Sequence, residues 1–232
     1  GRLLEGAAGG RWFSPLKQPQ RHVSIRSAGE SWLIATEGGA PLGTVDGFRA
    51  YREVHPHAIY LHAGATYEVT EFSEDARRVR VREAVADHYT QPVVTEETKV
   101  LATLGTRPFG PGTLAWGDVR VTSRVIGYER KLVRGGVALG EHPLTLPPQA
   151  FETQGVWLAV PSPVQRELAA SGRDLMGSLH ALEHAAIALF PLLALCDRWD
   201  LGGISTPYHP DTGTASVFIY DGMPGGVGLA RF

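Results

Sequence analysis

The feature of this sequence that most constrains its fold is a change of hydrophobic period near Pro161. Before it, short segments rich in β-branched and aromatic residues are bounded by Gly, Pro or Asp, which is typical of strands. After Pro163 the spacing becomes helical, with a short helix over 164–170 and a second from Asp174 to about residue 195, kinked or split at Pro191. An apolar strand follows at 216–220. The earlier predicted strands are residues 22–26, 31–36, 57–62, 66–70, 78–82, 118–126 and 155–160.

This order of elements predicts an α+β protein. We expect a linker over residues 1–20, then a mostly antiparallel, barrel-like β domain over 21–160. A small helical and mixed domain should follow over 161–232.

Composition excludes several classes of protein. Of 232 residues, 43% are hydrophobic and 20% charged, which suits a folded core rather than a disordered chain. The net charge of −2 argues against a highly basic nucleic-acid coat. None of the three lysines follows a glycine, so a phosphate-binding P-loop is excluded. The single cysteine, Cys196, excludes an internal disulfide and a four-cysteine zinc site made by this chain alone.

No targeting or membrane segment is predicted. Residues 1–10 lack the basic and apolar regions of a signal peptide, and the longest apolar run, 185–196, has twelve residues. A membrane span needs roughly 20 residues. We therefore expect a cytoplasmic location and no membrane partner. The missing initiator Met and the abrupt end at Phe232 suggest a fragment of a longer protein.

One local motif points to metal chemistry. His180, Glu183 and His184 follow the H-x-x-E-H order of the inverted zinc peptidases, and residues four apart share one helix face. This order predicts two histidine ligands with Glu183 as a base. The alternative is a structural role for both histidines in a very apolar helix. A third ligand would have to come from Cys196, Asp197, Asp200, His209 or Asp221.

Arginines on strands point to phosphates. Arg78, Arg80 and Arg82 alternate along one predicted strand and therefore share a face. Arg120, Arg124 and Arg130 belong to a basic cluster with few acids. Such rows can neutralise phosphates, or they can be ordinary solvated faces. Four aromatic residues could stack on bases, although each fits a core position better: Trp32, Tyr60, Tyr67 and Trp116.

Longer motifs resemble a known family. The stretches HALEHAAIALFP (180–191), CDRWDLGG (196–203) and FIYDGMPGGVGL (218–229) are similar to the zinc-binding domain of MrfA-type helicases, which are superfamily 2 DEAD/DEAH-box proteins. Upstream, HPHAIYLHAG (55–64) and TQGVWL (153–158) resemble the region before that domain. The resemblance covers most of the chain. His57 stands where the family more often has glycine.

The resemblance implies an accessory, DNA-contacting C-terminal region of an ATP-dependent 3′–5′ helicase linked to DNA repair. Its partners would be single-stranded or forked DNA and, in cis, motor domains outside this chain that use ATP and Mg²⁺. The six arginines named above are the predicted phosphate contacts. This region alone is expected to be non-catalytic.

The resemblance also implies a zinc ion held by four cysteines, of which Cys196 matches the first and the others would follow Phe232. No cofactor is therefore expected in this chain by itself. Two other functions stay open: a zinc metallohydrolase at His180, Glu183 and His184, and a protein-interaction module of a helicase or defence complex.

Overall fold

The structure is a computed structural model that describes residues 4–5, 12–13 and 30–231. It is mostly β, with 54% strand and 19% helix, and its largely antiparallel sheets curl, which confirms the α+β prediction. Two short strands, β1 (Leu4–Glu5) and β2 (Trp12–Phe13), pair antiparallel. The predicted strand at 22–26 lies outside the described residues.

The first large sheet is built from residues 31–83. Its strands are β3 (Ser31–Thr36), β4 (Pro41–Asp46), β5 (Ile59–His62), β6 (Ala65–Ser73) and β7 (Arg78–Glu83), and helix α1 (Gly47–Glu53) follows β4. The strand order is β4-β3-β7-β6-β5, with only β3 and β7 parallel. Alternation along β3 and β7 buries Trp32, Ile34, Val79 and Val81 in one core and turns their neighbours outward.

The second sheet is dominated by a long hairpin, β8 (His88–Phe109) and β9 (Gly112–Leu132). Its other strands are β10 (Ala138–Pro143), β11 (Gln149–Val160), β12 (Leu201–His209) and β13 (Thr214–Asp221), in the order β10-β9-β11-β13-β12. Arg52 of α1 links the two sheets, because its guanidinium pairs with Glu96 of β8 and donates to Ser123 of β9 at 3.0 Å.

The helices follow β11. They are α2 (Ser162–Ala170) and α3 (Leu175–Leu189), and α3 passes into a 3-10 turn at Phe190–Leu192, where Pro191 ends the α-helical pattern. Asp174 caps α3 by accepting a hydrogen bond from the Gly177 N–H. Further 3-10 turns are Arg198–Asp200 and Leu229–Arg231.

Helix α3 packs against β12 and β13, at one edge of the second sheet. Leu179, Glu183 and Ile187 are its buried residues. Because β13 pairs with β11 along six residues, the chain after Pro161 extends the sheet formed before it. The domain boundary expected at residue 161 stays a prediction.

By length and composition, the segment Leu175–Leu192 is apolar enough to cross a membrane, with a mean hydropathy of 1.3. Its middle carries His180, Glu183 and His184, and ionisable groups at the centre of a bilayer are costly. Glu183 also packs against β12, where Ser205 donates to it. These features favour a helix packed on protein, and the absence of a membrane partner stays a prediction.

Candidate functional site

The three arginines of β7 share the outward face of their strand, as predicted. Val79 and Val81 are fully buried on the opposite face. The Arg80 Nε lies 3.1 Å from the Glu71 carboxylate and the Arg82 guanidinium 3.1 Å from Glu68, both on β6. Arg78 is exposed and has no ion-pair partner among the residues that the structure describes. Two of the three guanidiniums are therefore matched by glutamates.

The arginines of β9 also include one that is paired with a glutamate and one that is not. Arg120 and Arg124 are exposed on one face, and Arg120 pairs with Glu152 of β11 at 2.5 Å. Arg124 has no ion-pair partner within residues 30–231. Arg130 differs, because its Nε is buried without a hydrogen-bond partner and its guanidinium lies 5.9 Å from the Tyr128 ring. Of these three arginines, Arg124 is the one that is exposed and has no ion-pair partner among the described residues.

The register of the long hairpin adds a cation that sequence reasoning missed. Lys99 of β8 lies directly opposite Arg120 of β9. Because directly opposite side chains leave the same face of a sheet, both extend to the same side. Only the pairing register, which strand composition does not specify, could have revealed this basic pair.

The predicted stacking aromatics lie in or beside the cores. Trp32 is buried and packs edge-on against Tyr51, with ring centroids 5.5 Å apart. Tyr60 and Tyr67 pack on the same core. Trp116 covers Gly105, where a Cβ would lie only 2.2 Å from the indole ring. None of these rings presents a free platform, whereas Trp199 is 85% exposed.

The H-x-x-E-H motif forms a compact cluster on α3. One donor atom each from His180, Glu183 and His184 lies within 4.8 Å of the other two. The two histidine Nε2 atoms are 3.1 Å apart, and Glu183 Oε2 lies 3.4 Å from His180 Nδ1. Ser205 of β12 donates to Glu183 Oε2 at 2.6 Å. Within the described residues, this is the group of three donors that could hold a metal ion.

The other candidate ligands are occupied elsewhere. Asp197 and Asp200 form a capping box around the 3-10 turn between them. His209 is buried, with its Nε2 within hydrogen-bond distance of Thr98. Asp221 is fully buried and accepts the four backbone N–H groups of residues 227–230 at 2.7–3.2 Å. These carboxylates therefore organise turns, and Glu183 completes the donor set.

A family model, the MrfA Zn-binding domain, matches residues 182–232. The ATP-dependent helicase YprA of Bacillus subtilis is 27% identical over 220 residues, covering 92% of this chain and 29% of the helicase. The ATP-dependent helicase hrq1 of Schizosaccharomyces pombe is 22% identical over 183 residues, 75% of this chain and 17% of its own length.

Solved structures show the same relationship. A crystal structure of the DUF1998 helicase MrfA bound to DNA is 27% identical, with a TM-score of 0.64, and matches 99% of this chain and 31% of MrfA. Another MrfA crystal structure is 25% identical, with a TM-score of 0.58, over 98% of the chain. The chain thus spans less than a third of the length of the relatives it matches.

The residues present do not fit the four-cysteine zinc site that the resemblance implies. Cys196 is the only cysteine, so the chain supplies one thiolate of four. Burial raises the pKa of the Cys196 thiol, and Asp200 raises it further. The donor group on α3 does not include Cys196. Its role as a zinc ligand stays a prediction.

The fold, the family model and the helicase relatives all indicate the same relationship to MrfA-type helicases. The family model matches the part of the chain that contains the second half of α3, all of β12 and β13, and the glycine-rich turn after β13. The helicases match nearly the whole chain. The chain is therefore similar, over nearly its whole length, to the C-terminal region of MrfA-type helicases.

Proposed function

We propose that this chain is the DNA-contacting accessory region of an ATP-dependent DNA helicase that acts in the cytoplasm. In this proposal the whole protein moves 3′–5′ and serves DNA repair, and motor domains in cis use ATP and Mg²⁺. The supporting observation is the match of 99% of the chain, at a TM-score of 0.64, to a helicase crystallised with DNA.

The phosphate contacts of this proposal come from the two arginine faces. Arg78 and Arg124 are exposed and unpaired among the described residues, so they can bind phosphate without first breaking an ion pair. The pairs of Arg80, Arg82 and Arg120 with glutamates are also exposed. Since exposed ion pairs contribute about 0–1 kcal/mol, a phosphate can replace the glutamate at little cost.

Arg130 is the weakest of the six candidates. Its Nε is buried and its guanidinium lies beside Tyr128. Phosphate binding there would require the side chain to leave this position. Lys99, opposite Arg120, is a better-placed addition to the set. The region would guide a single strand or the arm of a fork by its backbone charge, without base readout.

Fluorescence anisotropy with labelled single-stranded and forked DNA tests this proposal. The chain is titrated at about 50 mM and 200 mM salt, because phosphate contacts weaken steeply over this range. We expect binding at low salt that is much weaker at high salt. Absence of binding at low salt would contradict the proposal.

One observation favours the alternative of a protein-interaction module. Large apolar side chains are exposed after α3, with Leu192 and Leu193 at 79% and 75% and Leu195 and Trp199 more exposed still. Exposed apolar patches often mark protein contacts, and here the occupant would be the motor domains in cis. This alternative would be supported if the chain bound no DNA at low salt but formed a complex with separately added motor domains, seen as their slower diffusion.

A further inference from the structure

The cluster on α3 has a geometry that neither the helicase relationship nor the DNA proposal explains. His180, Glu183 and His184 occupy positions i, i+3 and i+4, so the helix itself places them on one face. Their donor atoms lie within 4.8 Å of one another. The set of two imidazoles and one carboxylate is a common ligand set for zinc-type ions.

The two histidines face each other through ring nitrogens. Their Nε2 atoms are 3.1 Å apart and their rings meet edge to face, with centroids separated by 4.4 Å. Two nitrogen ligands of a tetrahedral zinc ion, each roughly 2.0–2.1 Å from the metal, lie roughly 3.3 Å apart. The imidazoles are thus already close to the separation that a shared ion requires.

Glu183 has an environment suited to a ligand. Its side chain is only 9% exposed, and its ion-pair partner within the described residues is His180 rather than Lys or Arg. A buried carboxylate is costly without a compensating charge, which a divalent ion would supply. The hydroxyl of Ser205 fixes the carboxylate at 2.6 Å, as a hydrogen bond to a metal ligand does.

The backbone of β12 makes room for this carboxylate. A Cβ on Gly203 would lie 2.7 Å from Glu183 Cγ and 2.8 Å from Ile187 Cδ1. A glycine at 203 therefore lets α3 approach the strand and brings Ser205 to Glu183. On the other side, His180 is 60% exposed, which leaves the site open to ions and water.

From these contacts we propose that His180, Glu183 and His184 bind one divalent ion of the zinc type, at a site separate from Cys196. Glu183 acts as the third ligand. Since Ser205 and the packing on β12 hold its carboxylate, it is not free to act as the base of a peptidase. The site therefore binds metal without hydrolytic activity, and it depends on neither DNA nor Cys196.

Isothermal titration calorimetry of the untagged, EDTA-treated chain with Zn²⁺ tests this proposal, together with thermal melts with and without the ion. We expect one equivalent to bind and to raise the melting temperature. His180→Ala and His184→Ala should each weaken binding at least tenfold, and because His180 and His184 are exposed, circular dichroism should show both variants folded.

Cys196→Ser is the matched control and should bind like the parent chain. With Co²⁺ in place of Zn²⁺, visible absorption typical of nitrogen and oxygen ligands, without a thiolate band, should appear. Absence of stoichiometric binding by the parent chain overturns the proposal. Binding that survives His180→Ala and His184→Ala, or that is lost in Cys196→Ser, overturns it as well.

Discussion

Asp221 shows how a single buried carboxylate can order the loop that follows it. It is fully buried, and both of its oxygens accept backbone N–H groups from residues 227–230. The glycines before them take left-handed conformations, with φ of 83° at Gly225 and 68° at Gly226. The glycines of this turn can be read from the sequence. The role of Asp221 cannot, because it depends on the fold bringing the N–H groups of residues 227–230 next to its carboxylate.

Replacing Asp221 with asparagine should destabilise this turn. The NH₂ group of the new asparagine would face backbone N–H groups that need an acceptor. Losing a hydrogen bond to a charged group and leaving a buried N–H unsatisfied should lower the free energy of unfolding by about 2 kcal/mol. Urea denaturation measures the change, and hydrogen exchange should show faster amide exchange at residues 227–230. Asp75→Asn, at an exposed turn position, is the control. Equal stability of both variants would argue against this role.

His57 adopts a strained, left-handed backbone conformation. Its φ is 66°, in the left-handed region that favours glycine, and glycine is the residue that the family resemblance implies at this position. The side chain is exposed, so it gains little packing in return.

His57→Gly should therefore stabilise the protein by about 1 kcal/mol, because the strain is relieved and the exposed imidazole contributes little packing. The midpoint of urea denaturation should rise. Asp75→Gly, at an exposed turn position whose own φ is not positive, should lower it instead. A fall in both midpoints would show that residue 57 is not strained.

Among the elements, β12 was the hardest to predict. It contains Gly202, Gly203 and Pro207, a composition typical of a polar loop. It becomes a strand because β13 offers a partner edge, and its own register shifts between Thr206 and His209, around the proline. Pairing between segments, rather than local propensity, makes this strand.

The helices and most first-sheet strands were easier to predict. The cap at Asp174 and the break at Pro191 are local signals, and both mark the observed ends of α3. Of the hairpin β8–β9, only the strand over 118–126 was predicted, and the composition of 91–104 suits a strand or a helix equally well. Its 20 paired residues, rather than any local pattern, make β8 a strand.

The approach of α3 to β12 depends on Gly203. Alanine there should cost about 1–3 kcal/mol, because its Cβ would overlap Glu183 and Ile187 in a packed interface. Denaturation by urea measures this loss. Gly38→Ala is the control, since the nearest neighbour of its Cβ would be Thr36 Oγ1 at 3.8 Å. A Gly203→Ala chain as stable as the control would mean that α3 sits farther from the sheet.

Over the whole molecule, site features set by residues close in sequence could be predicted, whereas features set by pairing between distant strands could not. The α3 cluster follows from helix spacing alone, and the structure brings its three residues together. The arginine rows were also placed on outward faces. Which arginines are free was not predictable, because the glutamates beside Arg80 and Arg120 come from neighbouring strands through register.

The most direct test of a DNA-contacting region is the salt dependence of single-strand binding in arginine variants. For the Arg78→Ala, Arg124→Ala double variant, the slope of log Kd against log salt should fall by roughly 0.7 for each phosphate that the variant no longer neutralises. Arg166→Ala, which removes an exposed arginine from α2, is the matched control and should keep the parent slope. An unchanged slope in the double variant, or an equal decrease in the control, would contradict DNA binding through these faces.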